Sequence, residues 1–485
     1  MSDSEERPQR QRTPDSEVFR AYMTGSWAPR QLKRPSRDPR AEAAASRRAR
    51  LHEMFPDLLL LIPAGRPKQR SNDTDYPFRP HTAFTYLTGW GSEAVPESVL
   101  VCEEGYWTLY CREPAGRDSD EFYANAALGE FWTGPRPHLD DVSALLGIRV
   151  ERLADWVMPD AEKSASLAMI READSFLTEA MDRSRGSAQE AGSDRDDALA
   201  QAVSEMRLVK GEVEIAEMRR AVAATAKGFD DIMSALPRAL AEERGERVIE
   251  GVFFTRARME GYDIGYGTIA ASGPHACILH WVRNDGPVTD GDLLLVDAGV
   301  ELDSLYTADI TRTIPVSGRF SEIQAKVYQA VLDAADAAFR VVRPGITFRT
   351  IHDTAMSVIA DRLSRWGFLP VSAEESLSPE GGQHRRYMIH GTSHHLGLDV
   401  HDCAQARREL YLDGILEPGM VFTIEPGLYF QPDDLTVPPE WRGIGVRIED
   451  NIVVTETGAE NLSAGIPRTI AEVEAWWTRR VEASA

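Results

Sequence analysis

Histidines are concentrated in one short stretch of this chain. Four of the 11 histidines lie within the twelve residues from His390 to His401, the inner two being His394 and His395. Imidazole is the commonest neutral metal ligand in proteins and the usual proton carrier near neutral pH. The cluster therefore favours a metal site or acid–base catalysis, and the alternative is a histidine-rich surface loop without chemistry.

Four acidic residues end or closely follow apolar stretches elsewhere in the chain. They are Asp297, Asp309, Glu425 and Glu449. An acid at such a position is costly to bury unless it is paired with a cation or bound to a metal ion. One such acid is commonly a cap or a salt bridge, but four of them beside a histidine cluster indicate a site. Asp402 and Asp450 each follow a better-placed candidate, and we interpret both as bystanders.

Four carboxylates and one imidazole would together form a site for two divalent ions. Carboxylate oxygens favour manganese, with zinc, cobalt or iron as alternatives where an imidazole contributes. Two ions about 3.5 Å apart can share a water molecule, lower its pKa and stabilise both the attacking and the developing oxygen. The reaction class that follows is metal-assisted hydrolysis.

The elements that must position these residues fall into two regions. Residues 1–40 are rich in Arg, Pro, Ser and Glu, which predicts a disordered N-terminal arm. Residues 41–200 predict an α/β domain, with a buried strand at residues 58–62 and a hairpin of strands at 98–102 and 107–111. Residues 183–197 are polar and predict a loop or linker.

The region from residue 206 to residue 470 repeats one order of elements, helix, helix, strands, twice. Apolar residues at steps of three and four predict its first helix; they are Ile215, Met218, Val222, Ala226 and Phe229. Ser321 predicts the N-cap of the third helix. Each half ends in strands that carry two of the four acids. Residues 471–485 predict a C-terminal helix, and the whole chain is of the α/β (α+β) class.

Composition and charge exclude several functions. Lys plus Arg number 54 against 77 Asp plus Glu, a net charge of −23, so we expect no nucleic-acid binding. No apolar run is long enough for a membrane span, and the N-terminus lacks the apolar core of a secretory signal. The four cysteines show neither CxxC spacing nor a disulfide framework. We therefore expect a cytoplasmic protein that contacts no membrane.

Five motifs in one order resemble those of the pita-bread metallopeptidases and, within them, the aminopeptidase P (Xaa-Pro aminopeptidase) family. They are I-L-H at 278–280, V-D-A-G at 296–299, D-I-T-R at 309–312, H-G-x-S-H at 390–394 continuing to 401, and I-E-P-G at 424–427 with V-R-I-E at 446–449. Residues 75–79 and 84–89 resemble the family's N-terminal domain. The resemblance implies a smaller N-terminal α/β domain, then a pita-bread catalytic domain with a pseudo-twofold internal repeat.

The resemblance implies a role for each candidate metal ligand. Asp309 and Glu449 would bridge two metal ions, and Asp297 would bind one of them with both oxygens. His394 and Glu425 would complete the coordination of the other ion. Glu425 would also relay the proton of the attacking water.

Further residues would surround the substrate. His280, His390 and His401 would donate hydrogen bonds to its carbonyl and stabilise the charge that develops there. Arg447 would orient Asp297 and, with Tyr266, form a proline pocket.

Two residues near these motifs depart from what the family leads us to expect. His275 stands where we expect asparagine, and Trp281 stands where we expect tyrosine. His395 is interpreted as an incidental neighbour of His394.

The implied activity is release of the N-terminal residue from peptides that carry proline in second position, by a homodimer or homotetramer. The X-Pro bond lacks an N–H and has a restricted ring, so general peptidases cleave it poorly. A prolidase acting on X-Pro dipeptides is the alternative, although Ser393 ahead of His394 favours aminopeptidase P. A metal-free pita-bread module that binds peptides is a third interpretation, disfavoured because all five ligand positions carry suitable side chains.

Overall fold

The computed structural model describes residues 14, 16–28, 35–72, 74–186 and 189–481. Contacts within the chain divide it into two compact units, Met1–Val203 and Ser204–Ala485. Among the described residues, no helix combines the length and the apolar content that crossing a membrane requires.

The first unit contains eight of the described helices, and a ninth runs from it into the second unit. In chain order these helices are α1 (Glu17–Thr24), α2 (Arg40–Met54), α3 (Thr82–Thr88), α4 (Glu121–Ala124), α5 (Glu130–Thr133), α6 (Leu139–Leu146), α7 (Ala161–Ala165), α8 (Ser175–Arg185) and α9 (Gln189–Met206). The described strands of this unit are β1 (Leu59–Pro63), β2 (Gln69–Ser71), β3 (Thr74–Asp75), β4 (Val99–Glu103), β5 (Tyr106–Cys111), β6 (Arg149–Arg152) and β7 (Leu167–Met169).

A five-stranded sheet in the order β6-β5-β4-β1-β7 organises the first unit. β4 is antiparallel to both of its neighbours, β1 and β5, whereas each outer strand is parallel to the strand beside it. The buried strand predicted at residues 58–62 and the predicted hairpin are thereby confirmed as β1 and as β4 with β5.

The loop predicted over residues 183–197 is wrong, because α8 extends to Arg185 and α9 begins at Gln189. Two charged side chains of this stretch, Arg185 and Asp196, are paired in the interior rather than solvated. Arg185 donates from Nη1 to Oδ2 of Asp196 at 2.6 Å, and both side chains are buried. Asp196 also accepts the backbone N–H of Met169 in β7. A polar composition therefore concealed a helix that is fixed by a buried ion pair.

Half of the disordered arm predicted over residues 1–40 falls outside the described residues. Residues 1–13, 15 and 29–34 of that arm are not among them, so the disorder stays a prediction there. Within the arm, residues 17–24 form α1, with the Ser16 hydroxyl accepting the backbone N–H of Phe19 at the N-cap.

The helices described in the second unit after α9 are α10 (Glu212–Leu240), α11 (Gly245–Glu260), α12 (Glu322–Val341), α13 (Arg349–Arg365), α14 (Ala373–Leu377), α15 (Arg408–Tyr411) and α16 (Ile470–Val481). Its strands are β8 (Asp263–Ile264), β9 (Ile269–Ser272), β10 (Leu293–Ala298), β11 (Val300–Glu301), β12 (Ile310–Pro315), β13 (Val421–Ile424), β14 (Gly427–Tyr429), β15 (Gly445–Arg447), β16 (Asp450–Val454) and β17 (Ala459–Asn461).

Two halves of similar construction make up most of this unit. In the first, α10 and α11 precede an antiparallel sheet β12-β10-β9 and a two-stranded ladder β11-β8. In the second, α12 and α13 precede an antiparallel sheet β13-β16-β17 and a ladder β14-β15. The predicted internal repeat of helix, helix, strands is confirmed.

Apolar periodicity predicts the buried faces of the long helices correctly. Met218, Val222 and Phe229 of α10 are buried, as are Val327 and Val331 of α12. Val222, Phe229, Val327 and Val331 belong to one core that also includes strand residues of both halves, because each amphipathic helix must cover the apolar face of a sheet. Ser321 caps α12 as predicted: its hydroxyl accepts from Gln324 N, and Gln324 Oε1 accepts from Ser321 N.

Candidate active site

The four acids lie at equivalent places in the two halves. Asp297 lies in β10 opposite Thr311 of β12, and Asp309 immediately precedes β12. Glu425 immediately follows β13, and Glu449 immediately precedes β16, which pairs with β13. Each antiparallel sheet thus brings two acids to one end, and the packing of the two halves brings both pairs together.

His394 lies among acids from both halves. Its Nε2 is 3.2 Å from Oδ2 of Asp309, 3.5 Å from Oε1 of Glu425 and 4.0 Å from Oε1 of Glu449. Ligand atoms of Asp309, His394 and Glu449 all lie within 4.8 Å of one another. Its Nδ1 donates to the carbonyl of His395 at 3.2 Å, which leaves Nε2 directed at the acids.

Arg447 connects the acids of the two halves. Its Nη2 donates to Oδ2 of Asp297 at 2.5 Å, and its Nη1 donates to the Tyr429 hydroxyl at 3.1 Å. Its Nε donates to Oγ1 of Thr311 at 3.0 Å, and that hydroxyl donates to Oε2 of Glu449 at 2.7 Å. One buried guanidinium therefore orients Asp297 directly and Glu449 through Thr311.

Tyr266 also contacts the acids. Its hydroxyl lies 2.6 Å from Oδ1 of Asp297 and 2.5 Å from Oδ1 of Asp309. Burial, together with the charges of these two carboxylates, raises the pKa of Tyr266 well above its ordinary value. The hydroxyl therefore stays protonated and donates a hydrogen bond to one of the two carboxylates.

Two supporting residues escaped the sequence reasoning. Thr311 links Arg447 to Glu449, and Asn451 holds the backbone of Asp309: its Oδ1 accepts from Asp309 N at 3.2 Å and its Nδ2 donates to Asp309 O. Each stands two residues after an acid of the site. Alternate residues of a strand share a face, so this spacing was a usable signal.

The three predicted substrate histidines differ in their surroundings. His390 uses both ring nitrogens, with Nδ1 2.7 Å from the Gly391 carbonyl and Nε2 2.8 Å from the Tyr429 hydroxyl. Burial lowers the pKa of His390 to about 3, so the ring is neutral. His401 and His280 are exposed, and the His401 ring lies 4.3 Å from that of His394. Burial is the main cause of the lowered pKa of His401, and the charges of His394 and His280 contribute to it.

His395 and Asp402 lie outside the cluster of acids. The His395 ring is buried and stacks on Phe348 with centroids 4.6 Å apart. Asp402 is buried and forms ion pairs of 3.0 Å with both Arg207 and Lys210. Asp402 thus secures the segment that follows His401 rather than contacting the other acids.

The residues present fit a pair of divalent cations. Oε1 of Glu449 is buried and has no hydrogen-bond partner among the described residues. Burial raises the pKa of Glu425 to about 7 and raises the pKa of Glu449 well above its ordinary value. Without a cation the cluster therefore retains protons, and divalent ions would displace them. Carboxylates with one imidazole form a donor set for hard or borderline metals.

The metal-free protein is expected to lose stability as the pH rises from about 5 to about 8. Burial raises the pKa of Glu425 to about 7. For His394, burial lowers the pKa, but the hydrogen bond that its ring donates to Asp309 and the charges of Glu425 and Asp309 together raise the pKa to about 9. The folded state then holds more protons than the unfolded state, so stability is complete below the unfolded pKa values and declines above them. For Asp309, burial raises the pKa, but the hydrogen bond and charge of His394, the hydrogen bond of Tyr266 and the charge of Arg447 together lower it. Asp309 therefore changes stability only below about pH 4.

Thermal unfolding with a chelator and with an excess of a divalent ion would test this expectation. Titratable groups elsewhere in the protein affect both curves of Tm against pH equally, so their contribution cancels in the difference between the curves. That difference should widen as the pH rises. A difference that is equal at every pH would contradict the prediction.

Comparisons with known proteins cover both units. The family model described as "Metallopeptidase family M24" matches residues 216–456, and that described as "Aminopeptidase P, N-terminal domain" matches residues 44–160. Xaa-Pro aminopeptidase 1 of Streptomyces coelicolor is 48% identical over 467 residues, which cover 95% of this chain and 92% of the relative. The Xaa-Pro aminopeptidase of Escherichia coli is 34% identical over 467 residues, 90% of this chain and 97% of the relative. The solved structure of Pseudomonas aeruginosa aminopeptidase PepP superposes with a TM-score of 0.76 at 31% identity, covering 92% of this chain and 99% of that one.

Proposed function

This chain belongs to metallopeptidase family M24 and, within it, to the Xaa-Pro aminopeptidases, and we propose that it releases the N-terminal residue from peptides with proline in second position. It is a metal-dependent hydrolase whose second unit is a pita-bread catalytic domain. The observation that carries the assignment is that Asp309, Glu425 and Glu449, from two sheets, meet at His394. Asp297 adjoins Asp309 through the shared Tyr266 hydroxyl. One buried oxygen of Glu449 has no hydrogen-bond partner among the described residues.

We propose that two divalent ions, manganese in the first instance, are held by five residues. They are Asp297, Asp309, His394, Glu425 and Glu449. When bound, such ions polarise the scissile carbonyl and lower the pKa of a water molecule. The protein's contribution is to fix the orientation of the carboxylates through Arg447, Tyr266 and Thr311.

Glu425 is our candidate for proton transfer. It takes a proton from the attacking water and delivers it to the proline nitrogen, which leaves as an amine and has no N–H of its own in the peptide. The raised pKa of Glu425, about 7 in the metal-free protein, supports this role because a general acid–base works best near the ambient pH.

Two of the three histidines are proposed to donate to the substrate carbonyl directly. His280 and His401 are exposed, and the His401 ring lies 4.3 Å from that of His394. This exposure supports the proposal that their N–H groups stabilise the developing oxyanion. Both nitrogens of His390 are engaged, so we propose that His390 instead holds the Tyr429 hydroxyl beside Arg447.

Arg447 and Tyr266 are proposed to act on the acids more than on the proline ring. Arg447 is only 3% exposed, and its three donor nitrogens contact Asp297, Tyr429 and Thr311. The Tyr266 hydroxyl is shared between Asp297 and Asp309. Substitution of either residue should therefore weaken metal binding as well as catalysis.

A comparison of three peptides would test the proposed function. After removal of metal and readdition of manganese, we expect an X-Pro-Y tripeptide to be cleaved at least about a hundredfold faster than the matching X-Ala-Y peptide. An X-Pro dipeptide should be the poorer substrate. Cleavage of the dipeptide alone would instead indicate a prolidase, and neither cleavage nor bound metal would indicate a peptide-binding module.

The assembly and location of the protein are also proposals. A homodimer or homotetramer is suggested by the family resemblance, and light scattering on the purified protein would measure it. The cytoplasm is supported by the cysteines, since Cys102, Cys111, Cys277 and Cys403 are all free, buried thiols.

A further inference from the structure

Glu246, in the first turn of α11, is a buried carboxylate that has no Arg or Lys partner among the described residues. Its exposed fraction is 0%. Burial of an isolated carboxylate is costly unless its oxygens accept several hydrogen bonds. The donors that satisfy Glu246 therefore indicate what this residue organises.

Four donors surround Glu246, and all come from residues 272–286. Oε1 accepts from the backbone N–H of Ser272 at 2.9 Å and from Nδ1 of His275 at 2.7 Å. Oε2 accepts from Nε1 of Trp281 at 2.8 Å and from the backbone N–H of Gly286 at 2.7 Å. One side chain thus fastens both ends and the middle of a single segment.

The packing around Glu246 is specific to the residues present. The His275 and Trp281 rings stack with centroids 3.9 Å apart and an interplanar angle of 23°. A Cβ atom added at Gly286 would lie 2.6 Å from Cε1 of His275 and 2.9 Å from Oε2 of Glu246. The two departures from the expected family residues, His275 and Trp281, therefore contact each other and the same carboxylate.

A second anchor holds the same segment from the other side. Asn284 is fully buried, and its Oδ1 accepts from Ala270 N at 2.9 Å while its Nδ2 donates to Thr268 O at 2.8 Å. His280 is exposed between His275 and Trp281, which both contact Glu246, and Val282 and Arg283 are exposed between Trp281 and Asn284. His280 directly precedes the anchored Trp281, so its placement depends on that indole.

We propose that Glu246, His275 and Trp281 form a positioning unit that holds the loop bearing His280 at the active site. The unit does not touch the substrate and acts on the reaction through His280. This inference rests on the proposed function, because it gives His280 a contact with the substrate carbonyl.

Trp281→Phe is the sharpest test, because it removes the indole N–H and retains an aromatic ring over His275. A hydrogen bond to a charged group is lost, so we expect kcat/KM for an X-Pro-Y peptide to fall about tenfold with unchanged metal content. Trp476→Phe is the matched control. Trp476 lies in the C-terminal helix α16, and the substitution removes an indole N–H that donates to Oδ1 of Asp230 in α10 at 2.8 Å. That control should keep its full activity.

A double-mutant cycle decides whether the effect passes through His280. In a His280→Ala background, Trp281→Phe should lower kcat/KM less than about twofold, because the residue it positions is gone. An equal loss in both backgrounds would overturn the proposal.

Trypsin provides a readout that is independent of activity. The Arg283 side chain is 70% exposed at the tip of the loop, and release of the Trp281 anchor should speed native-state cleavage there at least about tenfold. Unchanged cleavage would overturn the anchoring. A protein without any X-Pro cleavage would overturn the proposed function instead, and proteolysis would still decide whether Glu246 and Trp281 hold the loop.

Discussion

Asp309→Asn is expected to remove most of the bound metal and to lower kcat/KM for an X-Pro-Y peptide by at least about a thousandfold. Asp309 is the acid that lies closest to His394 Nε2, at 3.2 Å, and its Oδ1 lies 2.5 Å from the Tyr266 hydroxyl. Loss of a residue that merely supports a metal ligand already costs about 10–100-fold in affinity or activity. Loss of a proposed bridging carboxylate should cost more, because both ions depend on its charge.

Metal analysis and steady-state kinetics on the same preparation would measure this effect. Asp230→Asn is a suitable control, because Asp230 contacts Trp476 and Arg480 of the C-terminal helix and lies outside the cluster of acids. The control should keep its metal and its activity. An Asp309→Asn protein with full metal content and activity within tenfold of the unsubstituted protein would refute the proposed ligand set.

Glu425→Gln is expected to lower kcat by about 10²–10⁴-fold while part of the metal remains. The amide oxygen of glutamine can still act as a ligand, but the side chain can neither take up nor deliver a proton. Glu425 is the acid whose pKa is raised to about 7 and whose Oε2 lies 3.6 Å from Nδ1 of His390. Catalysis should therefore suffer more than metal binding.

The two substitutions are distinguished by the ratio of activity lost to metal lost. Excess manganese should leave kcat of Glu425→Gln low, because the missing function is proton transfer rather than coordination. Glu417→Gln, at an exposed position shortly before β13, provides the matched control and should behave as the unsubstituted protein does. Recovery of kcat at high manganese concentration would assign Glu425 to coordination alone and would require another proton carrier.

The site and the loop anchor depend on the same physical rule. Buried carboxylates are stable only when cations or several donors satisfy them. At Glu246 four donors suffice, so that residue needs no metal. At Glu449 one oxygen has a donor in Thr311 and the other has no partner among the described residues. The difference explains why one buried acid organises a loop and the other is proposed to bind an ion.

The sequence predicted the elements well where apolar periodicity was strong. The helices α10 and α12 and the strand β10 follow from regular apolar spacing, which burial enforces directly. The prediction failed at residues 183–197, where Arg185 and Asp196 are buried as a pair. Each charged residue taken separately is expected to be solvated. Burial of Arg185 and Asp196 is stable only because the two side chains pair with each other.

By itself the sequence determined which residues could form the site, because an acid at the end of an apolar strand is informative without any knowledge of its partner. Only the tertiary structure decided which groups these acids meet. Arg447 reaches Asp297 across 150 residues, and Thr311 reaches Glu449 across 138. Such contacts depend on how the two halves pack, and spacing along one chain carries no signal for them. The same holds for His395, whose ring packs in the core while its carbonyl orients the neighbouring His394.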